Sequence, residues 1–516
     1  MRTMALLTLP VVLLLLAGLA WSEERNRFAD VLALQEAVHE SIERAEPSIA
    51  CVLVSRSDKY KEFNIAQPDV PGRLGRFDVR DARRSIPETD PRYKAIGRLD
   101  LSDPNNVPEL DTYGSGVVID KSAGLVLTLA HVVRKATKIY VRLPGGHGSW
   151  ADIHAADPRS DLAVLHLLDP VPNLKALPLG DGEKLRKGDF VLSLSNPFAA
   201  GFADGSPSAS WGIVSNLRRR STGMLSDYEP DKRTAHLPLY CFNTLIQTDT
   251  RLNLGCSGGA LLNLQGELVG LTSSLAGIAG GETPGGFAVP LSDGIQRIIK
   301  VLRRGEEVEY GFLGVSLPLS ADRKRNGPVQ IISVLADGPA ERGRIRGKSG
   351  AGFRSEGGDF ILSINDTPVH SYDDLFLAVA MHLAGSTVRV EVAATPDGPR
   401  RTCSVQLAKF PAMEPIIASH RPIARGGLRV DWSSTIVPRL GLRSIPIGVV
   451  VREVQAGSPA DKARFQPDMI IKRVNDREVT TPAEFYREMD KAKGPVALVF
   501  SNARGTDEQR VTLNNK

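Results

Sequence analysis

Gly255-Cys256-Ser257-Gly258-Gly259 is the stretch that decides how this 516-residue chain folds. Two glycines after a serine let the backbone turn sharply and leave the hydroxyl presented. The glycine two residues before the serine aims its N–H at the same point as the serine's own N–H. Such a pair of donors is built to hold a developing oxyanion, and a serine beside it is a nucleophile. Gly-rich turns with a serine are common, so a plain tight turn is the competing reading. The residues upstream decide between the two.

A serine hydroxyl needs a base to take its proton and a carboxylate to orient that base. The chain supplies both, in order. His131 lies in Leu127-Thr128-Leu129-Ala130-His131-Val132-Val133, an apolar strand leading into a short helical turn. Asp161 lies in Asp157-Pro158-Arg159-Ser160-Asp161-Leu162-Ala163-Val164-Leu165, a turn leading into a buried strand. A lone His in an apolar run is ordinarily a packed core residue, and Asp157 or Asp161 alone would be a turn cap. His147, His154 and His166 are alternative bases, but none has the apolar lead-in followed by two valines. The order His, Asp, Ser is that of chymotrypsin-like double barrels, not of subtilisin or α/β-hydrolases. In such a fold the His and Asp sit on the first barrel and the Ser on the second.

These segments resemble the HtrA family of trypsin-like serine proteases, and the resemblance spans nearly the whole mature chain. It also takes in Gly114-Ser115-Gly116-Val117-Val118-Ile119, Ser195-Asn196-Pro197-Phe198, Trp211-Gly212-Ile213-Val214-Ser215, Ile246-Gln247-Thr248-Asp249 and Gly286-Phe287-Ala288-Val289-Pro290. The resemblance implies Ser257 as nucleophile, His131 as general base and Asp161 as its orienting partner. The N–H groups of Gly255 and Ser257 would form the oxyanion hole. Three positions depart from the family pattern. Cys256 stands where Asn is usual, in a role that is mainly backbone. Arg251 replaces a small residue near the expected base of the specificity pocket, where it either alters the pocket or points away. Leu254 varies on the same segment.

The length suits about three domains at roughly 150 residues each. A formal net charge of +5 is small for this length, and no basic cluster with interleaved aromatics appears, so nucleic acid is not an expected partner. Arg2, the apolar run Ala5 to Ala20 and Ala20-Trp21-Ser22 read as a signal peptide over 1–22, cleaved before Glu23. An uncleaved anchor is the alternative, since the run nears the ~20 residues that cross a bilayer. Either way the catalytic part lies outside the cytoplasm, in the periplasm or cell envelope. Cys51, Cys241, Cys256 and Cys403 are too few and scattered for a disulfide framework or metal site. Export makes one bridge feasible, with Cys51 and Cys241 the pair left by elimination; four buried thiols are expected, and no metal or other cofactor.

Val31, Leu34, Val38 and Ile42 predict an amphipathic helix over about 28–45, ended by Pro47, with a first strand over 49–54. Residues 56–112 are polar and aperiodic, either a functional insertion or a floppy one; the family resemblance implies subunit contacts there. A second insertion, 221–238, would belong to the family's activation loops. Ser292 is a good N-cap for a closing helix through Leu302 that Gly305 stops.

Beyond this the sequence repeats. Val329-Gln330-Ile331-Ile332-Ser333-Val334, Gly338-Pro339-Ala340-Glu341 and Gly358-Asp359-Phe360-Ile361-Leu362-Ser363-Ile364-Asn365 return as Val449-Val450-Val451-Arg452-Glu453-Val454, Gly457-Ser458-Pro459-Ala460-Asp461 and Asp468-Met469-Ile470-Ile471-Lys472-Arg473-Val474-Asn475. A helix follows in each copy, 373–382 or 483–492. The pair looks like two circularly permuted PDZ domains, which bind chain termini by strand addition. Tyr310, Gly311, Phe312, Leu313 and Gly314 are the candidate carboxylate loop of the first. Arg425-Gly426-Gly427-Leu428-Arg429-Val430 is the looser equivalent in the second, where a purely architectural role competes. An insertion over 344–356 bears on the first groove.

The expected architecture is mainly β: a chymotrypsin-like double β-barrel protease over 23–306, a first PDZ domain over 308–409 and a second over 420–516. The expected function is ATP-independent cleavage of unfolded or damaged polypeptides. An inert peptide-binding chaperone and a signalling protease with one partner are the alternatives. The resemblance further implies a homo-oligomer, a trimer or a multiple of one.

Overall fold

The structure is a computed structural model that describes residues 28–60, 72–103, 110–219, 238–242, 244–274, 286–317, 327–349, 356–411 and 417–514. The signal segment 1–22 and nearly all of the 221–238 insertion lie outside the described residues. Two antiparallel barrels dominate. The first comprises β1 (Ile49–Ser55), β2 (Thr112–Asp120), β3 (Leu125–Leu129), β4 (Lys138–Arg142), β5 (Gly148–Asp157) and β6 (Leu162–Leu167), closed by pairing of β5 with β6. The second comprises β7 (Phe190–Ser195), β8 (Ser208–Arg219), β9 (Leu245–Thr248), β10 (Ala260–Leu262), β11 (Leu268–Ser273) and β12 (Gly286–Pro290), and is likewise closed. Closure removes the exposed edges that an open sheet would leave.

Every residue of β1 is buried, which a one-faced strand would not be. Ala50, Val52 and Val54 face the barrel core, while Cys51 and Leu53 join a second cluster with Tyr60, Phe77, Ile96, Leu99, Tyr140 and Trp150. That second cluster is made by the 56–112 insertion. Its described part forms two short helices, Val79–Arg84 and Arg92–Gly97, and packs on the outside of the first barrel. Three polar anchors hold it. Asp152 accepts from the N–H groups of Leu74 and Gly75 at 2.6 and 2.7 Å. The buried Lys138 ammonium donates to the carbonyls of the same two residues, and burial lowers its pKa to about 8. Arg142 reaches the carbonyls of Ser102, Gly146 and Phe202 at 2.7, 3.0 and 3.2 Å. Poor periodicity hid this unit because its few apolar residues cover another element's outer face rather than a core of their own.

The expected amino-terminal helix spans 28–45. Its carboxyl half is tied to the β10–β11 turn through Ser41 and Arg44, while Phe28, Val31 and Leu32 are exposed. The closing helix is Asp293–Arg303, capped by the Ser292 side chain and followed by Gly305 at φ +71°. It buries Ile295, Ile298, Ile299 and Leu302, and no described helix is long and apolar enough to cross a membrane.

The sequence repeat is a structural one. In the first copy a strand, the Pro339–Arg342 turn of helix, Phe360–Ile364, the Tyr372–Ala380 helix, Thr387–Ala393 and Arg400–Gln406 follow in order. The second copy runs Val449–Val454, Pro459–Lys462, Ile470–Val474, Pro482–Lys491, Val496–Ser501 and Gln509–Leu513. Both short helices begin on a proline, whose fixed φ and missing N–H suit that position. Ser371 caps the longer helix of the first copy, and a Thr481–Glu484 capping box starts that of the second. The segment between the copies, Ile417–Ala418, pairs with Ala155–Ala156 of β5 as a seventh strand on the first barrel. Lys409, 2% exposed, joins the two copies through Glu307 at 2.7 Å and Asp431 at 3.0 Å. Burial alone would lower its pKa, but Asp431, Glu307 and Glu309 raise it, so the ammonium stays charged. All four cysteines are buried thiols.

Asp120 ties β2 to the closing helix. It accepts from Ser122 Oγ, the Ala123 N–H and Arg303, the last at 2.8 Å, and these bonds hold its carboxyl well below the ordinary range. A depressed carboxylate stabilises the fold fully above its unfolded pKa, near 4, and loses that contribution progressively as pH falls from there towards the lowered folded value. Asp120→Asn is therefore expected to lower the thermal unfolding midpoint at pH 7, with the gap closing in acid. A gap that stays constant down to pH 3 in thermal melts would contradict this role.

Candidate active site

The turn over 255–259 has no room for side chains at its glycines. Gly255 adopts φ +93°, and a Cβ there would sit 2.5 Å from the Asn196 carbonyl oxygen. Gly258, at φ +87°, would place a Cβ 2.2 Å from the Ser115 oxygen, and Gly259 one 2.6 Å from Ser195 Cβ. The turn is then latched to β11: the Gly258 N–H donates to the Thr272 oxygen at 2.8 Å, Thr272 N–H returns to Gly259 at 2.9 Å, and Thr272 Oγ1 donates to the Cys256 oxygen at 2.6 Å. The Gly255 and Ser257 N–H groups donate to no acceptor among the described residues. Two free donors beside a serine Oγ are what a tetrahedral oxyanion needs. Cys256, 1% exposed, accepts from the Asn253 N–H, and burial raises its thiol pKa.

The first barrel reaches across to this turn through Ser115 of β2, which is wholly buried. Its N–H donates to the Ser257 oxygen and its hydroxyl to the Gly255 oxygen, both at 2.8 Å. The same hydroxyl accepts from the Asn196 N–H at 2.8 Å. One side chain thus joins β2, the turn before Pro197 and the residue carrying a free donor. Sequence reading quoted Gly114-Ser115-Gly116 as a strand entry and missed this role.

His131 sits on the helical turn Ala130–Val133 that follows β3, and Asp161 on the β5–β6 connection at φ +60°. The Asp161 backbone oxygen accepts from Ala130, its Oδ1 accepts from the His131 N–H at 2.9 Å, and its Oδ2 lies 2.7 Å from His131 Nδ1. A carboxylate on Nδ1 places the proton there and leaves Nε2 as the acceptor. Ser257 is 3% exposed, and its hydroxyl is engaged elsewhere. It lies 2.8 Å from Ser274 Oγ and accepts from the Ser274 N–H at 3.1 Å, so its bond to His131 is unmade in this structure. Nothing in the sequence signalled Ser274.

The other histidines are elsewhere. His154 packs between His166 and His420, with ring centroids 6.1 and 5.3 Å away. Arg251 is exposed, its backbone N–H donates to Ser210 Oγ at 3.1 Å, and it lines a pocket together with Ser195, Trp211, Asp249 and Asn253. Leu254 is 42% exposed, and its oxygen accepts from Phe198, a residue held at φ +52°. The candidate peptide loop needs correction at two positions. Tyr310 is buried with its hydroxyl on Asp157, and the Gly311 N–H is taken by the His382 oxygen at 2.8 Å. The N–H groups of Leu313 and Gly314 remain without an acceptor among the described residues, next to the half-buried Phe312. In the second copy Arg425 pairs with Asp490 and Arg429 with Glu453. No group of three or more His, Cys, Asp or Glu among the described residues is arranged to hold a metal ion.

Comparison with known proteins bears on this geometry. The trypsin-like peptidase domain family matches residues 114–271, a span that includes His131, Asp161 and Ser257. The periplasmic pH-dependent serine endoprotease DegQ of Escherichia coli is 31% identical over 439 residues, covering 82% of this chain and 84% of that one. A probable periplasmic DegP-like serine endoprotease of Ectopseudomonas mendocina is also 31% identical, over 96% of both chains. The chain belongs to the HtrA-type DegP/DegQ family of serine endoproteases. It is a serine endopeptidase with a double-barrel catalytic fold. Among solved structures, the HtrA-type protease AlgW with decapeptide is 25% identical, with a TM-score of 0.46 over 72% of this chain and 98% of that one.

Ser115→Ala would leave the buried Gly255 oxygen and the Asn196 N–H each without a partner, and the donor-bearing turn would shift. In this endoprotease kcat is expected to fall by about tenfold to a hundredfold with KM within about twofold. An unchanged kcat in steady-state assays would show that the turn holds its shape without the first barrel.

Proposed function

We propose that Ser257, His131 and Asp161 are the catalytic triad, and that the Gly255 and Ser257 N–H groups form the oxyanion hole. The observation that carries this is the 2.7 Å pairing of His131 Nδ1 with Asp161, on the barrel facing a serine flanked by two free backbone donors. Substrate binding exchanges the Ser274 contact for a bond from Ser257 Oγ to His131 Nε2; apo sites commonly tighten in this way. Oγ then attacks the scissile carbonyl as Nε2 takes its proton. Asp161 stabilises the imidazolium, and the two N–H groups receive the oxyanion. The imidazolium protonates the leaving amine, and water activated by His131 hydrolyses the acyl-enzyme.

The substrate class we infer is unfolded or damaged polypeptide, cleaved without ATP in the periplasm or cell envelope after export. The repeated units, over 308–409 and 420–516, act as PDZ domains. The first captures peptide C-termini, with the Leu313 and Gly314 N–H groups on the carboxylate and Phe312 beside the pocket. The chain works as a homo-oligomer, a trimer or a multiple of one, through a protease domain over 23–306. The exposed Phe28, Val31 and Leu32 supply apolar surface for that assembly.

Incubation with unfolded casein should give fragments with the wild-type protein and none with Ser257→Ala, as read by mass spectrometry. Wild-type fragmentation by the purified variant would remove Ser257 from the mechanism. Full-length Ser257→Ala protein should bind peptides ending in apolar residues and lose that binding when the peptide is amidated. Equal calorimetric titrations for both forms would remove the carboxylate capture.

A further inference from the structure

The turn that carries Asp161 is not held by the barrels alone. Asp157, the last residue of β5, is buried; it accepts from the Ser160 N–H at 3.1 Å and from Ser160 Oγ at 2.5 Å. The same carboxylate oxygen accepts from the hydroxyl of Tyr310, at the head of the first repeated unit. Burial pushes the Asp157 carboxyl up, and the Ser160 and Tyr310 hydrogen bonds oppose that rise. Arg159 lies in the same turn. Its guanidinium carbon is 3.9 Å from the Phe410 ring centre, 4.6 Å from Tyr310 and 4.9 Å from Phe376, the last two on the first unit and Phe410 directly after it. Its Nε and Nη1 are sealed from solvent with no hydrogen-bond partner among the described residues. The cation is therefore held by ring faces. Phe376 in turn stacks on Phe242 of the protease part at 3.9 Å between centroids.

Asp161 follows two residues after Arg159 at φ +60°, a left-handed conformation uncommon for non-glycine residues though better tolerated by Asp than by most. We propose that Tyr310, with Phe410 and Phe376, is a positioning clamp for the peptidase reaction: the first repeated unit closes the 157–161 turn and thereby sets the Asp161 carboxylate against His131. This inference rests on the triad reading above. Without the Tyr310 hydroxyl the buried Asp157 carboxylate is one donor short, and the turn relaxes to rehydrate it. Asp161 then pairs poorly with Nδ1. Catalysis falls because the tautomer and orientation are no longer fixed. The substrate groove is untouched, so the loss falls on kcat and leaves KM in place. A merely architectural contact would change stability or unit docking and leave kcat of the folded protein where it was.

The test uses the full chain and a chromogenic peptide substrate. Tyr310→Phe keeps the ring and removes the hydroxyl. The expected result is a kcat reduced about tenfold or more with KM within about twofold. Phe410→Leu removes one ring of the clamp without touching Asp157 and should give the same split in smaller measure; it decides the matter if Tyr310→Phe fails to fold. Asp161→Asn separates the two claims. If it leaves the rate at its wild-type value, the triad reading falls and this inference with it. If it cripples the enzyme while both clamp variants keep wild-type kcat, the clamp alone is overturned.

Discussion

Everything at the site depends on a backbone turn that cannot accommodate a Cβ. Gly255 and Gly258 both take positive φ and lie against carbonyl oxygens of other segments, at distances a side chain would violate. That close approach lets Ser115 of the first barrel bond to the turn carried by the second. The two barrels therefore meet through backbone groups, and the serine hydroxyl is delivered to the seam between them. His131 and Asp161 reach the seam together, at the one end of the β3–β6 pair where Leu129 lies opposite Leu162. Their mutual hydrogen bonds fix the imidazole before any substrate arrives, which limits the reorganisation left for the proposed chemical step.

Much of this was legible in the sequence. Glycines flanking a serine announce a constrained turn, an apolar run ending in His131 announces a strand end, and Asp161 before an apolar run announces a strand start. The closing helix was readable from its Ser292 cap and Gly305 stop. The repeat announced two equivalent units, and their short Pro-started helices follow from local chemistry. What escaped was non-local. Ser115 and Ser274 are ordinary strand residues by any local signal, and their contacts to Ser257 exist only once the barrels close. The insertion over 56–112 lacked periodicity because it covers the outer face of β1 instead of folding on itself. Tyr310 shows the same limit: an aromatic before a Gly-rich segment reads as part of a carboxylate-binding loop, whereas its hydroxyl lies on Asp157 and its ring on Arg159, contacts that no local signal announces.

The repeated units are also less separate from the protease part than a string of domains suggests. The segment between them is a strand on the first barrel, Lys409 joins them through a buried charge network, and the first unit encloses Arg159. An arginine whose charge is met by three aromatic faces, with burial holding its pKa down to about 10, is tolerated only while those rings stay in place. Docking of the first unit and the geometry of the Asp161 turn are in this way one structural event.

The central claim is that Ser257 is the nucleophile although its hydroxyl rests on a second serine in this structure. The most direct measurement is peptide mapping by mass spectrometry after reaction of the full-length protein with a fluorophosphonate. The account predicts a single phosphonyl adduct on Ser257, with Ser274 unmodified. An adduct on Ser274, or none on Ser257 in protein that still cleaves substrate, would contradict it.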